Sequence, residues 1–204
     1  YLHENQRFSE DLDFDLDAHG IKQVREKCNQ LAEKLVGYEA TEFRRVKNTI
    51  QFYCTYSTPT NAKDHVRVDV ALKKIVSEKP PAIKPAVSEY TQKTVIGFLV
   101  YALEDLTARK LHALCTRTEG KDVLDVYNAL PLCGKMNAAI QKMLESEEKS
   151  LTPREFIEKT VHAVKKTDSK KLRNLTNPFI PSAKRPRDWL ELKNDLVIKL
   201  ENLG

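Results

Sequence analysis

The chain has 204 residues, 41% hydrophobic and 31% charged, enough for one large domain or two small ones around an ordinary core. Its formal charge of +5 is unevenly spread: residues 1–20 carry six acids against Arg7, while residues 151–204 carry twelve Lys or Arg against seven Asp or Glu, so one end suits cations and the other phosphates. No apolar run approaches a membrane span and the first 20 residues are acidic and polar, which excludes a spanning helix and a secretory signal in the chain as given and predicts a soluble, cytoplasmic protein.

The first predicted element is the stretch RFSEDLDFDLD, Arg7–Asp17, where Asp11, Asp13, Asp15 and Asp17 alternate with Leu12, Phe14 and Leu16. On a strand this alternation puts the carboxylates on one side and the apolar residues on the other, as in a buried strand with a charged edge. Like charges this close repel unless they splay into water or a cation neutralises them. An exposed acidic edge is the plain reading, and a site for hard divalent cations, which take oxygen ligands, is the sharper one. After Gly20, Ile21, Val24, Cys28, Leu31 and Leu35 recur at helical spacing up to Gly37 and predict an amphipathic helix. FRRVKNTIQFYCTYS (Phe43–Ser57) and HVRVDVAL (His65–Leu72) are rich in β-branched and aromatic residues and flank a turn-forming cluster, which predicts a hairpin.

EKPPAIKPAVS (Glu78–Ser88) has three prolines in eleven residues and is expected to be a loop or extended connection, and TVIGFLVYAL (Thr94–Leu103) reads as another buried strand. Beyond Leu103 the pattern is helical. Gly120 separates LEDLTARKLHALCTR from KDVLDVYNAL, and TPREF opens a helix with Thr152 as N-cap, Pro153 in the first turn and Glu155 completing a capping box. The last helix follows Pro186 and carries Trp189, Leu196, Leu200 and Leu203 as one stripe. The predicted class is α+β, a mixed sheet flanked by helices over residues 1–101 followed by a helical region over 102–204.

Three features invite chemistry. Val66, Val68 and Val70 point one way along their strand, so Arg67 and Asp69 point the other, and Asp is a poor strand former. If this strand lies beside the first, Asp69 joins Asp11 and Asp13, and three carboxylates on neighbouring strands suffice for two Mg²⁺ about 3.5 to 4 Å apart. In the following helix Lys110 interrupts an inward apolar stripe and Arg117 extends it. Lysines snorkel from such positions, but cations there also suit a triphosphate. Asp122 and Asp125 lie one turn apart just past Gly120, where Asp122 either caps the helix or takes an orienting or proton-accepting role beside Lys110. Cys28, Cys54, Cys115 and Cys133 form no Cys-x-x-Cys, and the five histidines add no metal-ligand pattern.

Together RFSEDLDF, VDV, DLTARKLHALCTR and KDVLDVY resemble the AbiEii/AbiGii toxin family of nucleotidyltransferases, relatives of the MenT toxins in the polymerase-β-type superfamily, over roughly residues 1–130. The resemblance implies a nucleotidyltransferase-like α/β core. It implies that Asp11, Asp13 and Asp69 ligate catalytic Mg²⁺, that Arg7 and Ser9 lie near the nucleotide phosphates, that Lys110 with Arg117 contacts the nucleoside triphosphate, and that Asp122 is catalytic, with Asp125 structural. Two departures stand out: the family's glycine-rich segment precedes the acidic motif and Tyr1 begins too late to include it, so the core is expected to be N-terminally incomplete; and Arg109 and Lys121 replace an acid and an arginine.

The function expected is Mg²⁺-dependent transfer of a nucleoside monophosphate from a triphosphate to an acceptor, an RNA and in particular the tRNA 3′ end, in a toxin paired with a cognate antitoxin protein. Lys165, Lys166, Lys170, Lys171, Arg173, Lys184, Arg185 and Arg187 would track the RNA backbone. The alternative is a degenerate, non-catalytic nucleotidyltransferase fold that binds RNA or protein. A small-molecule acceptor would share the metal site without needing the basic end.

Overall fold

A computed structural model describes residues 11–16, 38–40, 43–72, 75–86 and 96–203, with isolated helical positions at 23, 26 and 30. Gln23, Glu26 and Gln30 are exposed and share the polar face of the amphipathic helix predicted between Gly20 and Gly37. The apolar stripe of that helix lies outside the described residues, as do Arg7 and Ser9. The chain divides into two compact units, 9–75 and 76–204.

The first unit is a five-stranded sheet of β1 (Asp11–Asp15), β2 (Tyr38–Ala40), β3 (Arg44–Val46), β4 (Thr49–Ser57) and β5 (Lys63–Ala71), in the order β1-β5-β4-β2 with β3 also on β4. The predicted hairpin is β4–β5, antiparallel from Thr49↔Ala71 to Ser57↔Lys63. The stretch before it folds back once more, because Lys47, at φ 54°, turns β3 into β4. Period-two alternation decides what each strand buries: Ile50, Phe52, Val68 and Val70 form the core of this unit, and Phe43 packs its ring 4.7 Å from that of Phe52. Burying four such side chains stabilises the unit by about 1.5–3 kcal/mol apiece relative to exposure. β1 sits at the sheet edge, parallel to β5, and there Leu12 and Phe14 remain 50% and 43% exposed. The strand was expected to bury its apolar face. Among the described strands β1 has a neighbour on one side only, so it gains less cover than a central strand.

The second unit begins with a two-stranded antiparallel sheet of β6 (Ala82–Ala86) and β7 (Ile96–Val100), followed by helices α1 (Leu103–Thr116), α2 (Gly120–Ala129), α3 (Asn137–Ser146), α4 (Pro153–Lys166), α5 (Ser169–Thr176) and α6 (Trp189–Glu201). The proline-rich stretch is extended, as expected, and supplies β6. β7 is the strand read in TVIGFLVYAL, but it is not buried: Leu99 is 62% exposed, and among the described residues its sheet has two strands with no third alongside. Residues 76–101 group with the helices in one compact unit. The reason lies in two buried side chains. The Ser146 hydroxyl accepts from the Val76 amide at 2.7 Å and donates to its carbonyl at 3.2 Å, and the Asp105 carboxylate accepts from the amides of Glu78 and Lys79 at 2.7 and 3.3 Å.

The helical core is built from inward stripes on every helix, with Leu111 and Leu114 of α1, Val123 and Val126 of α2, Ile140 of α3, Phe156 of α4 and Leu196 of α6 among its most buried members. The capping box read at Thr152 is present: its hydroxyl accepts from the Glu155 amide at 3.2 Å, and the Glu155 carboxylate accepts from the Thr152 amide at 2.8 Å. The Thr152 amide, and second its hydroxyl at 2.9 Å, donate to the Glu155 carboxylate and hold that carboxyl below its ordinary range. Asp168 and Asp188 cap α5 and α6 more simply, each carboxylate accepting from two backbone amides of the first turn. Gly120 is more than a separator. A Cβ there would stand 1.9 Å from the Thr176 hydroxyl and 2.7 Å from the Leu172 carbonyl, so only glycine lets the start of α2 lie against α5.

Candidate active site

The residues singled out by the sequence fall into two sets, one in each unit. The first lies on the outward face of the sheet. β1 pairs with β5 in parallel, with Asp11↔Arg67 and Asp13↔Asp69 as Cα partners. Adjacent strands stand about 4.8 Å apart, so Asp13 and Asp69 share one level of the sheet and Asp11 lies two residues along the same face. The parity expected for Arg67 and Asp69 holds, since Val68 and Val70 are buried on the opposite face.

What holds these charges in place was not read from the sequence. Arg67 Nη2 donates to Asp11 Oδ2 at 2.5 Å, and Arg67 Nε lies 3.3 Å from Asp69 Oδ2. Gln51, across on β4, donates from Nε2 to Asp69 Oδ1 at 2.9 Å. One guanidinium therefore bridges two of the three predicted carboxylates, and the third stands beside them by register. The side chains of Asp69 and Asp11 are 21% and 35% exposed, so the face is open to solvent at this point. Arg67 and Gln51 carry no motif of their own; strand parity puts Arg67 on the right face, but only the register brings it to Asp11.

As a test of the expected metal site, the donor chemistry is suitable: hard carboxylate oxygens on neighbouring strands are what Mg²⁺ takes. The oxygens are not gathered, however. Among the described residues no group of three or more His, Cys, Asp or Glu is arranged to hold a metal ion, and an oxygen each of Asp11 and Asp69 faces Arg67 instead.

The second set joins α1 to α2. Arg117 approaches Asp122 with two nitrogens, Nε to Oδ2 at 2.9 Å and Nη2 to Oδ1 at 3.3 Å, while Lys110 Nζ lies 3.1 Å from Asp122 Oδ1 and 3.1 Å from Asp125 Oδ2. The Asp122 side chain is 1% exposed, against 39% for Lys110 and 55% for Arg117. The capping reading of Asp122 does not hold. Glu119 is the N-cap, and the Asp122 carboxylate is spent on the two cations. Lys110 interrupts its stripe because it reaches across to two buried or nearly buried acids. The two departures from the family pattern also have partners: Arg109 lies 4.1 Å over the Tyr101 ring, and Lys121 Nζ 3.6 Å over Phe179.

Comparison with known proteins agrees with this geometry at the level of fold and family. The family model described as nucleotidyl transferase AbiEii toxin, type IV TA system, matches residues 1–202. Among solved structures, MenT4, a nucleotidyltransferase toxin from Mycobacterium tuberculosis H37Rv, is similar with a TM-score of 0.61 at 15% identity, covering 97% of this chain and 70% of its own. JHP933 from Helicobacter pylori is similar with a TM-score of 0.51 at 17% identity, covering 100% of this chain and 79% of its own. Comparison with the curated proteins gives no match. The mixed α+β fold is that of the MenT nucleotidyltransferase toxins, and the chain belongs to the AbiEii family of toxin nucleotidyltransferases.

Proposed function

We propose that this nucleotidyltransferase moves a nucleoside monophosphate from a triphosphate to the 3′ end of an RNA, a tRNA in the first instance, with pyrophosphate leaving. The observation that carries the reading is the register of β1 on β5, which sets Asp13 level with Asp69 and leaves Asp11 on the same face. In this reading Asp11, Asp13 and Asp69 hold Mg²⁺, which would neutralise the triphosphate and orient the attacking and leaving oxygens. Gln51 keeps Asp69 from turning, through its hydrogen bond to Oδ1.

Lys110 and Arg117 serve the triphosphate. Asp122 is the anchor that fixes both heads, and a buried carboxylate with two partly exposed cations on it is suited to that work. Lys110 and Arg117 are both partly exposed, and Arg117, the more exposed, has the greater reach into solvent. Asp125 steadies Lys110 from the other side. Arg7 and Ser9 complete the phosphate contacts in this proposal on resemblance alone.

For the acceptor, Lys166, Lys170, Lys171, Arg173, Lys184 and Arg187 are all exposed on the helical unit. Lys165 is exposed too but paired with Glu201 at 2.7 Å, and Arg185 donates to the Ile180 carbonyl at 3.1 Å, so these two are less available. A cognate antitoxin protein belongs to the same reading.

The test is transfer of radiolabelled nucleotide to RNA. Asp11→Ala and Asp69→Ala are expected to abolish labelling, a loss of roughly a thousandfold or more, equivalent to several kcal/mol of charge stabilisation. Labelling that survives both changes contradicts the proposal. Charge reversal at Lys184 and Lys171 should weaken labelling of RNA, and unchanged labelling would point to a small acceptor instead.

A further inference from the structure

The bridging position of Arg67 calls for an explanation beyond fold stability. Its guanidinium touches two carboxylates of the three assigned to metal, at 2.5 Å from Asp11 and 3.3 Å from Asp69, and does so from the strand that carries Asp69 itself. Its Nε is buried without a hydrogen bond, although Asp69 Oδ2 lies close, so the pair is electrostatic without being well aligned. Elsewhere in this chain Arg117 meets Asp122 with a two-nitrogen fork. Arg67 instead divides itself between two acids and satisfies one of them well. The side chain is 38% exposed, so it has water to move into.

We propose that Arg67 is a positioning residue: its guanidinium keeps Asp11 and Asp69 from repelling each other, and it competes with a divalent cation for the same Oδ2 atoms. The proposal rests on the reading that Asp11, Asp13 and Asp69 hold Mg²⁺. The carboxylate face then stays folded at low metal, at the cost of a weaker metal affinity. Once displaced, the guanidinium remains tethered two residues from Asp69, on the same face, with all its donors released.

The experiment is calorimetric titration of the full chain with MgCl₂ and with MnCl₂, with no nucleotide, alongside melting in EDTA. Arg67→Gln removes the competitor and should bind metal roughly tenfold more tightly than the wild-type chain. It should melt lower in EDTA and recover more of its melting temperature on adding Mg²⁺. Arg67→Lys, which keeps the charge but loses the fork, should fall between the two and carries the comparison if the glutamine variant does not fold. Equal or weaker metal binding by these variants overturns the role given to Arg67. Asp69→Asn separates that failure from a failure of the site: if the wild-type chain binds metal and Asp69→Asn does not, the metal reading stands and only the competition is wrong. Wild-type protein that binds neither ion, or Asp69→Asn that binds as tightly as wild type, overturns both.

Discussion

The two units solve the same electrostatic problem in opposite ways. On the helical side Asp122 is sealed from water and gripped by Arg117 and Lys110; on the sheet side Asp11 and Asp69 stay a fifth to a third exposed and share one guanidinium. Burying a carboxylate costs several kcal/mol unless paired, and a sealed pair is correspondingly costly to break. An exposed pair costs little to form and little to break. The helical cluster is thus fastened to the fold, whereas the sheet cluster is free to exchange its counter-charge. That is the division expected if one set orients phosphates and the other takes up metal.

The comparison can be broken by making the helical unit loose. Gly120→Ala drives a methyl into the Thr176 hydroxyl and the Leu172 carbonyl, and because one obstacle is backbone the cost should lie near the upper end of overpacking, about 3 kcal/mol. Chemical denaturation followed by helical circular dichroism measures it, and a loss below about 0.5 kcal/mol would mean that α2 and α5 are not in contact as described. Asp122→Asn should cost about 2–3 kcal/mol, less than the ~3–5 of a fully buried pair because Lys110 and Arg117 keep access to water. The same substitution at Asp69 or Asp11 should change stability by less than about 1 kcal/mol, the range of exposed pairs. Equal losses at Asp122 and Asp69 would erase the contrast.

The smallest effect is with pH. Glu104, Glu155, Asp168 and Asp195 are all held below the ordinary carboxylate range, the first three chiefly by backbone amides and Asp195 by the Lys199 ammonium. An acid depressed in the folded state adds stability that is complete above its unfolded value and disappears as pH falls through the folded one. Helical circular dichroism should therefore hold down to ordinary carboxylate pH and weaken only below it, and Glu155→Gln, which removes one of the depressed carboxyls, should lessen that acid sensitivity. A melting temperature that rises on acidification would contradict the assignment.

Much of this was legible in the residues, and the misses have physical causes. Alternation in DLDFD and HVRVDVAL was enough to predict two strands and which residues share a face on each, because a period of two leaves only one face for each side chain, whereas their adjacency was only a condition that the pairing of β1 with β5 met. The capping box at Thr152 is a local signal and was read directly. What needed register was not: Arg67 opposite Asp11, Gln51 opposite Asp69, and the three-residue strand β2. TVIGFLVYAL looked buried because hydrophobicity does not reveal how many strands lie alongside. Asp105 and Ser146 gave no signal at all, since a side chain that fastens a distant backbone has no periodicity. Asp122 was placed in the right cluster but its burial, and the double hold on it, came only from the packing of α1 against α2.

The claim at the centre is that the sheet carboxylates serve chemistry rather than folding. Asp13→Asn tests it most directly, with melting temperature and pyrophosphate release from each nucleoside triphosphate measured on one preparation in Mg²⁺ and with RNA present. A melting temperature within a few degrees of wild type, together with loss of release, is the predicted result. Release at the wild-type rate from a folded Asp13→Asn chain would contradict it.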